Sequence, residues 1–237
     1  MLRDNQQRAR TARFVFLLFA FVCGSQVLIC LAGMNLPDWN GAVDGTSSGF
    51  TTGLYYGFIV LGVMYLVMII ASYVYLIMWL RRAYYNLHQV PGIHPEYSDG
   101  WAAGAWFVPF LNFVRPFTIM REVWQDTQRA AWGRIVEPNT ILGWWWAAFI
   151  IKLISSRITA KMGSDADGVT QEDLLPMLID TGTHLVFAVL TWHIIGRASV
   201  FEEELAVRQK VDQLGQPIAL PVSHKTDQSD YALEEGY

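Results

Sequence analysis

Two runs without a charged residue dominate this sequence, Phe14–Ala32 over 19 residues and Leu54–Leu80 over 27. At a rise of about 1.5 Å per residue, each covers a hydrocarbon layer of about 30 Å when helical, so both are expected to be transmembrane helices. Two further apolar runs carry ionisable residues: Ile141–Thr159 contains Lys152, and Leu174–Gly196 contains Asp180, His184 and His193. Composition agrees, because charged residues make up only 16% of the chain, against about a quarter in a soluble domain. The sequence therefore predicts an all-α integral membrane protein with four transmembrane helices, at about 14–33, 53–80, 141–159 and 174–196. Residues 1–13 form an N-terminal extension, 14–200 the membrane domain, and 201–237 a polar tail expected to be disordered from about 215. A net charge of −4, with basic residues spread along the span edges, speaks against a nucleic-acid partner.

The start, MLRDNQQRARTARF ahead of an apolar run, mimics a secretory signal. The run exceeds a signal core and no A-x-A site follows before Met34, so an uncleaved first helix is expected. Cys23 and Cys30 sit seven apart on that helix, about 10 Å, too far for a bridge within the chain.

Residues 101–131 decide the number of crossings. Trp101–Val114 offers 14 uncharged residues, about 21 Å as a helix, which falls short of a span. With four spans, and leaving out Lys152 within a span and Lys225 far down the tail, 13 Lys and Arg fall on one side and only Arg157 and Lys161 on the other; a fifth span at 101–114 would change the ratio to 8 against 7. The positive-inside rule selects four spans with both termini in the cytoplasm. Segment 101–131 is then a cytoplasmic-side re-entrant and amphipathic helical element. Its first half is expected to dip into the inner leaflet and break near Pro109, close to Asn112. Arg115 marks the join, and Pro116 suits a first helical turn. The amphipathic helix that follows carries Phe117, Met120, Trp124 and Ala131, with Phe113 ahead of them, on one face, and Arg121, Glu122, Gln125, Asp126, Gln128 and Arg129 on the rest, and is expected to lie in the interface.

Other local signals are more modest. Gly49, Gly53 and Gly57 form a small-residue row, expected to pack closely against another helix in the bundle or in a dimer. Ser47 or Ser48 caps the second span. Trp144, Trp145 and Trp146 suit an aromatic belt at the inner boundary. His193 and Arg197, one turn apart, make an ordinary boundary pair.

Catalytic and cofactor motifs are lacking. Gly45–Gly49 fits G-x-S-x-G by letter but lies between a loop and a helix, not in a strand–turn–helix elbow. The acid-rich loop KMGSDADGVTQED misses the twelve-residue calcium pattern, and His88, His94 and Glu96 have no zinc spacing. No catalytic residue, metal or cofactor is therefore expected. The informative residues are Lys152, Asp180 and His184, which fall at similar depth and make an intramembrane polar cluster.

The order Trp79-Leu80-x-Arg82-Ala83-x-x-Asn86-Leu87, Trp106-Phe107-Val108-Pro109-Phe110-Leu111-Asn112, Arg115-Pro116-Phe117, Met120-Arg121-Glu122-Val123-Trp124 and Leu142-Gly143-Trp144-Trp145-Trp146 resembles a bacterial membrane family, domain of unknown function 4328. The resemblance covers roughly residues 50–200 and is densest over 79–146. It implies a multi-pass protein of the bacterial inner membrane and supplies no activity or catalytic residue. The expected role is a non-enzymatic structural or interaction protein, an accessory subunit of a larger membrane complex. Its partners would be the lipid bilayer and either another membrane protein or a second copy. The alternative is a small transporter or channel with a polar path at Lys152, Asp180 and His184.

Overall fold

A computed structural model describes residues 2–162 and 168–214. The elements in chain order are α1 (Gln6–Gly33), α2 (Gly41–Asp44), α3 (Gly49–His88), α4 (Trp101–Gly104), α5 (Arg115–Trp132), α6 (Thr140–Met162) and α7 (Leu174–Leu214). Single 3-10 turns lie at Leu111–Phe113 and Gln171–Asp173, and the described residues contain no strand. Helices α1, α3, α6 and α7 are long and apolar enough to cross a membrane, and they contain the four predicted spans. The expected disorder of the tail from about 215, and residues 163–167 of the acid-rich loop, lie outside the described residues.

The long helices pack as an up-and-down bundle in which α1 lies against α7 and α3, and α6 lies against α7. Their mutual faces are large: Phe16, Phe19, Leu76, Trp79, Leu80, Trp145, Phe149 and Phe187 form one core. Outward faces are apolar as well, with Phe14, Phe21, Leu28, Val63, Leu66 and Ile70 exposed. A helix apolar all round needs an apolar surrounding, which a bilayer supplies.

Helices α3 and α7 run on past the apolar lengths, with 40 and 41 residues, about 60 Å each. Their extensions meet the N-terminus and α5 at one end, here called the basic end, where Trp124 and Phe201 pack edge to face. The opposite end is closed by a smaller core of Cys30, Trp39, Ala42, Tyr55, Phe58 and Leu174. There Trp39 Nε1 donates to Val169 O at 3.2 Å, and Gln171 Nε2 donates to Met34 O at 3.0 Å. Segment 89–139 both leaves and returns at the basic end, so the chain traverses the bundle four times and residues 101–132 do not cross it.

Ser48 is the cap of α3, accepting from Thr51 N at 3.3 Å. Asp38 secures that cap by accepting from Ser48 N and from Thr51 Oγ1, each at 2.8 Å. The Ser48 N–H, chief among these bonds, holds the Asp38 carboxyl below its usual range.

Three features of the sequence take particular places in the fold. Within the chain the glycine row packs on nothing, since a Cβ at Gly49, Gly53 or Gly57 would meet no atom within 4 Å, so of the two expected contacts the one inside the bundle is not made. At about 100° per residue the row faces away from Thr51, Tyr55 and Phe58, the side of α3 that is buried. Close approach occurs instead at Gly33, where a Cβ would meet Trp39 at 2.8 Å and Leu174 at 2.9 Å.

The three tryptophans take different surroundings, because consecutive helical residues point in different directions. Trp144 is 69% exposed, while Trp145 is buried and donates to Thr191 Oγ1 at 2.9 Å. Trp146 stacks on Phe149 at 4.6 Å.

Finally, α5 turns its apolar face to protein. Ile119, Met120, Val123, Trp124 and Thr127 are buried, chiefly against α7 and α3. The half-helix expected before it is a single turn, α4, followed by turns and the 3-10 step. Phe110, next to Pro109, has φ of 64° and stands 84% exposed, and Phe107, three residues earlier, is exposed as well.

Candidate functional site

Three helices build the polar cluster. Tyr65 and Tyr73 come from α3, Lys152, Ser155 and Ser156 from α6, and Asp180, Thr183 and His184 from α7. The Asp180 carboxylate accepts from Ser155 at 2.9 Å and Ser156 at 2.6 Å through Oδ1, and from Tyr65 at 3.3 Å through Oδ2. His184 Nδ1 lies 2.9 Å from Tyr65 Oη and 3.1 Å from the Asp180 carbonyl. With the Tyr65 proton given to Asp180, Nδ1 carries the imidazole proton and donates.

Lys152 is the odd member. Its Nζ donates to Tyr73 Oη at 2.6 Å and lies 4.4 Å from the centre of the Phe187 ring. It makes no ion pair with Asp180. The three predicted residues thus share a region, but serines and a tyrosine serve the carboxylate, and a second tyrosine serves the ammonium. Lys152 and His184 are 3% and 4% exposed. Tyrosine, serine and histidine in hydrogen-bond sequence can pass protons, and the same bonds neutralise the cost of burying polar groups.

A second polar region lies at the basic end. Asn5 Nδ2 donates to both Glu202 carboxylate oxygens at 3.1 Å and to Trp79 O at 3.3 Å. Asn86 exchanges two bonds with the Arg3 backbone, at 2.8 and 2.9 Å. The Glu202 side chain keeps some exposure, but its carboxyl is enclosed, and burial pushes it up to about 7. Tyr84 donates to Glu122 at 2.6 Å, and burial raises both groups above their usual ranges.

Around α5, Gln128 accepts from Val136 N and Glu137 N at 3.0 and 2.7 Å and donates to Trp124 O at 2.9 Å. Arg197 pairs with Glu137, not with His193, which is exposed. Arg115 stacks 3.9 Å over Trp101, and Pro116 lies buried in the first turn of α5. Arg121 is exposed, and Asn112 N bonds back to Val108 O at 3.1 Å.

Residues 58–199, more than half of the 237-residue chain, match the model of the family described as Domain of unknown function (DUF4328). The chain belongs to that family. No curated protein and no solved structure matches it. The DUF4328 region takes in every member of the polar cluster and all of α5, and it leaves out α1, Asn5 and Glu202.

Among the described residues no group of three or more His, Cys, Asp or Glu side chains is arranged to hold a metal ion. The sequence pointed to Lys152, Asp180 and His184 because ionisable groups stand out in apolar runs. Tyr65, Tyr73, Ser155 and Ser156 gave no such signal, since both tyrosine and serine are common in apolar helices. Glu202 and Asn5 were hidden in stretches polar enough to pass as solvated.

Proposed function

We propose that this chain is a non-enzymatic interaction protein of the bacterial inner membrane, inserted through α1, α3, α6 and α7 with both termini in the cytoplasm. In this reading it is a subunit of a larger membrane assembly. The observation that carries it is the closed state of the polar cluster: Lys152 and His184 are bonded within the chain and almost fully covered. A path for solute or ions needs polar groups that face water.

Beyond the apolar lengths, α5 and the extensions of α3 and α7 give a solvent-facing surface for a partner. A cleft of about 600 Å³ is lined there by Val90, Ile93, Asp126, Arg129, Leu205 and Arg208. Such mixed apolar and charged lining is usual for non-obligate contacts.

The test is purification in a mild detergent with partner identification and stoichiometry. One partner at fixed stoichiometry, lost with Arg129→Glu plus Arg208→Glu, supports the reading. A chain that elutes alone from several mild detergents contradicts it.

The Tyr73–Lys152 bond favours a second reading, a small transporter using the cluster. For that reading, solute or proton flux into proteoliposomes should appear with the native chain and vanish in Lys152→Met. Flux equal to that of empty vesicles removes it.

A further inference from the structure

At the basic end, Arg3, Arg8, Arg81 and Arg82 line one cleft of about 250 Å³ together with Tyr85 and Asp99. Four guanidiniums around so small a space repel one another unless an anion is present. Among the described residues, none of the four has a carboxylate oxygen within 4 Å; the two arginine ion pairs elsewhere use Arg129 and Arg197. Their other contacts are neutral. Arg8 Nη1 donates to Met78 O at 3.0 Å, and the Arg3 guanidinium lies 4.1 Å over the Tyr85 ring. Burial first, and then the charges of Arg8 and Arg3, hold Arg82 below its ordinary value.

The cleft has a neighbour. Arg8 also lines a narrow, mostly apolar groove of about 150 Å³ with Gln7, Thr11, Tyr75 and Met78. The groove lies between α1 and α3, one to two turns further along both helices, in the direction of the charge-free runs that begin at Phe14 and end at Leu80. A basic recess opening into an apolar groove at the end of a membrane-length helix pair is complementary to a molecule with a phosphate at one end and a hydrocarbon chain at the other. Arginine suits the first because its planar fork bonds two phosphate oxygens at once. Basic pockets between helices at a membrane surface hold anionic headgroups in this way.

We propose that the Arg3–Arg8–Arg81–Arg82 cleft is a binding site for an anionic phospholipid, with the headgroup phosphate among the guanidiniums and an acyl chain along Thr11, Tyr75 and Met78. Four arginines against Asp99 and the nearby Asp4 still leave an excess of positive charge, so a headgroup with two phosphates binds more tightly than one with a single phosphate. The site rests on reading the four helices as inserted, but not on which side each end faces. Insertion is tested separately, by whether the chain stays with membranes after an alkaline carbonate wash.

The experiment titrates the purified full chain in detergent with four probes and follows thermal unfolding and direct binding. The probes are a diphosphatidylglycerol, a phosphatidylglycerol, a phosphatidylcholine and inorganic phosphate. The expected order of stabilisation is diphosphatidylglycerol above phosphatidylglycerol, with little from the other two. Arg81→Gln plus Arg82→Gln should weaken diphosphatidylglycerol binding about 30-fold, whereas Arg121→Gln leaves it unchanged. Thr11→Trp keeps every charge and fills the groove; it too should weaken lipid binding while sparing the unfolding temperature without lipid. If inorganic phosphate alone gives the full shift, the ligand is a soluble anion and the lipid assignment is wrong. Equal stabilisation by phosphatidylcholine, or undiminished binding in both the double-arginine and Thr11→Trp variants, overturns the site itself.

Discussion

Lys152 illustrates how a single residue was legible and its partner was not. A lysine inside a run of apolar residues has to be paired or functional, so the sequence alone marks it. Which group pairs with it depends on the rotation of α3 against α6, which no local pattern encodes. The answer is Tyr73 at 2.6 Å. Tyr73→Phe leaves the Lys152 ammonium without that acceptor, and the expected loss is about 1–3 kcal/mol of stability, read as a lower unfolding temperature in detergent. No loss would mean that the bond contributes nothing net.

Glu202 gives a residue-scale expectation with a sign. Its carboxyl is raised from 4.5 to about 7 in the folded chain, so the folded state holds the proton more tightly than the unfolded one. Stability from this group is therefore full below about pH 4.5 and falls as pH rises through 7, by up to about 3 kcal/mol. Glu202→Gln should flatten the stability curve across that window. A variant curve parallel to the native one would show that Glu202 does not titrate there.

At the scale of elements, α5 shows both what periodicity gives and where it stops. Pro116 and the apolar spacing place a helix over 116–131, and the observed helix is Arg115–Trp132. The same pattern cannot say whether lipid or protein covers the apolar face. Protein does so, because α3 continues to His88 and α7 to Leu214, and both provide a surface to pack on. The glycine row stays open within the chain for the complementary reason: small residues permit close approach but do not summon a neighbour.

Three substitutions probe the α4–α5 region. Gln128→Ala removes the acceptor for Val136 N and Glu137 N, and should cost about 1–3 kcal/mol, whereas Arg121→Ala should change stability by less than about 0.5 kcal/mol. Phe110→Gly should stabilise the chain in detergent by about 1 kcal/mol, since it relieves a positive φ at a side chain that packs on nothing internal. Comparable costs for Gln128→Ala and Arg121→Ala, or a destabilised Phe110→Gly, would contradict these assignments. Phe107 and Phe110 instead suit contact with the membrane interface.

For the whole molecule, the four traverses were readable from the length of the apolar runs and the lopsided distribution of Lys and Arg. The assembly of the basic end was not, because it joins residues as distant as Asn5, Trp79 and Glu202. The proposed orientation puts that end, with α5, in the cytoplasm, and this placement underlies the partner surface, whereas the lipid site needs only that the helices are inserted. It can be read directly by labelling single cysteines with a membrane-impermeant thiol reagent in intact cells and in inverted vesicles. Cys23 and Cys30 are buried and give a low background. Arg129→Cys, exposed on α5, and Glu172→Cys, exposed at the opposite end, are the positions to compare. The expected result is labelling of Glu172→Cys in intact cells and of Arg129→Cys only in inverted vesicles. Labelling of Arg129→Cys in intact cells would contradict the proposed topology.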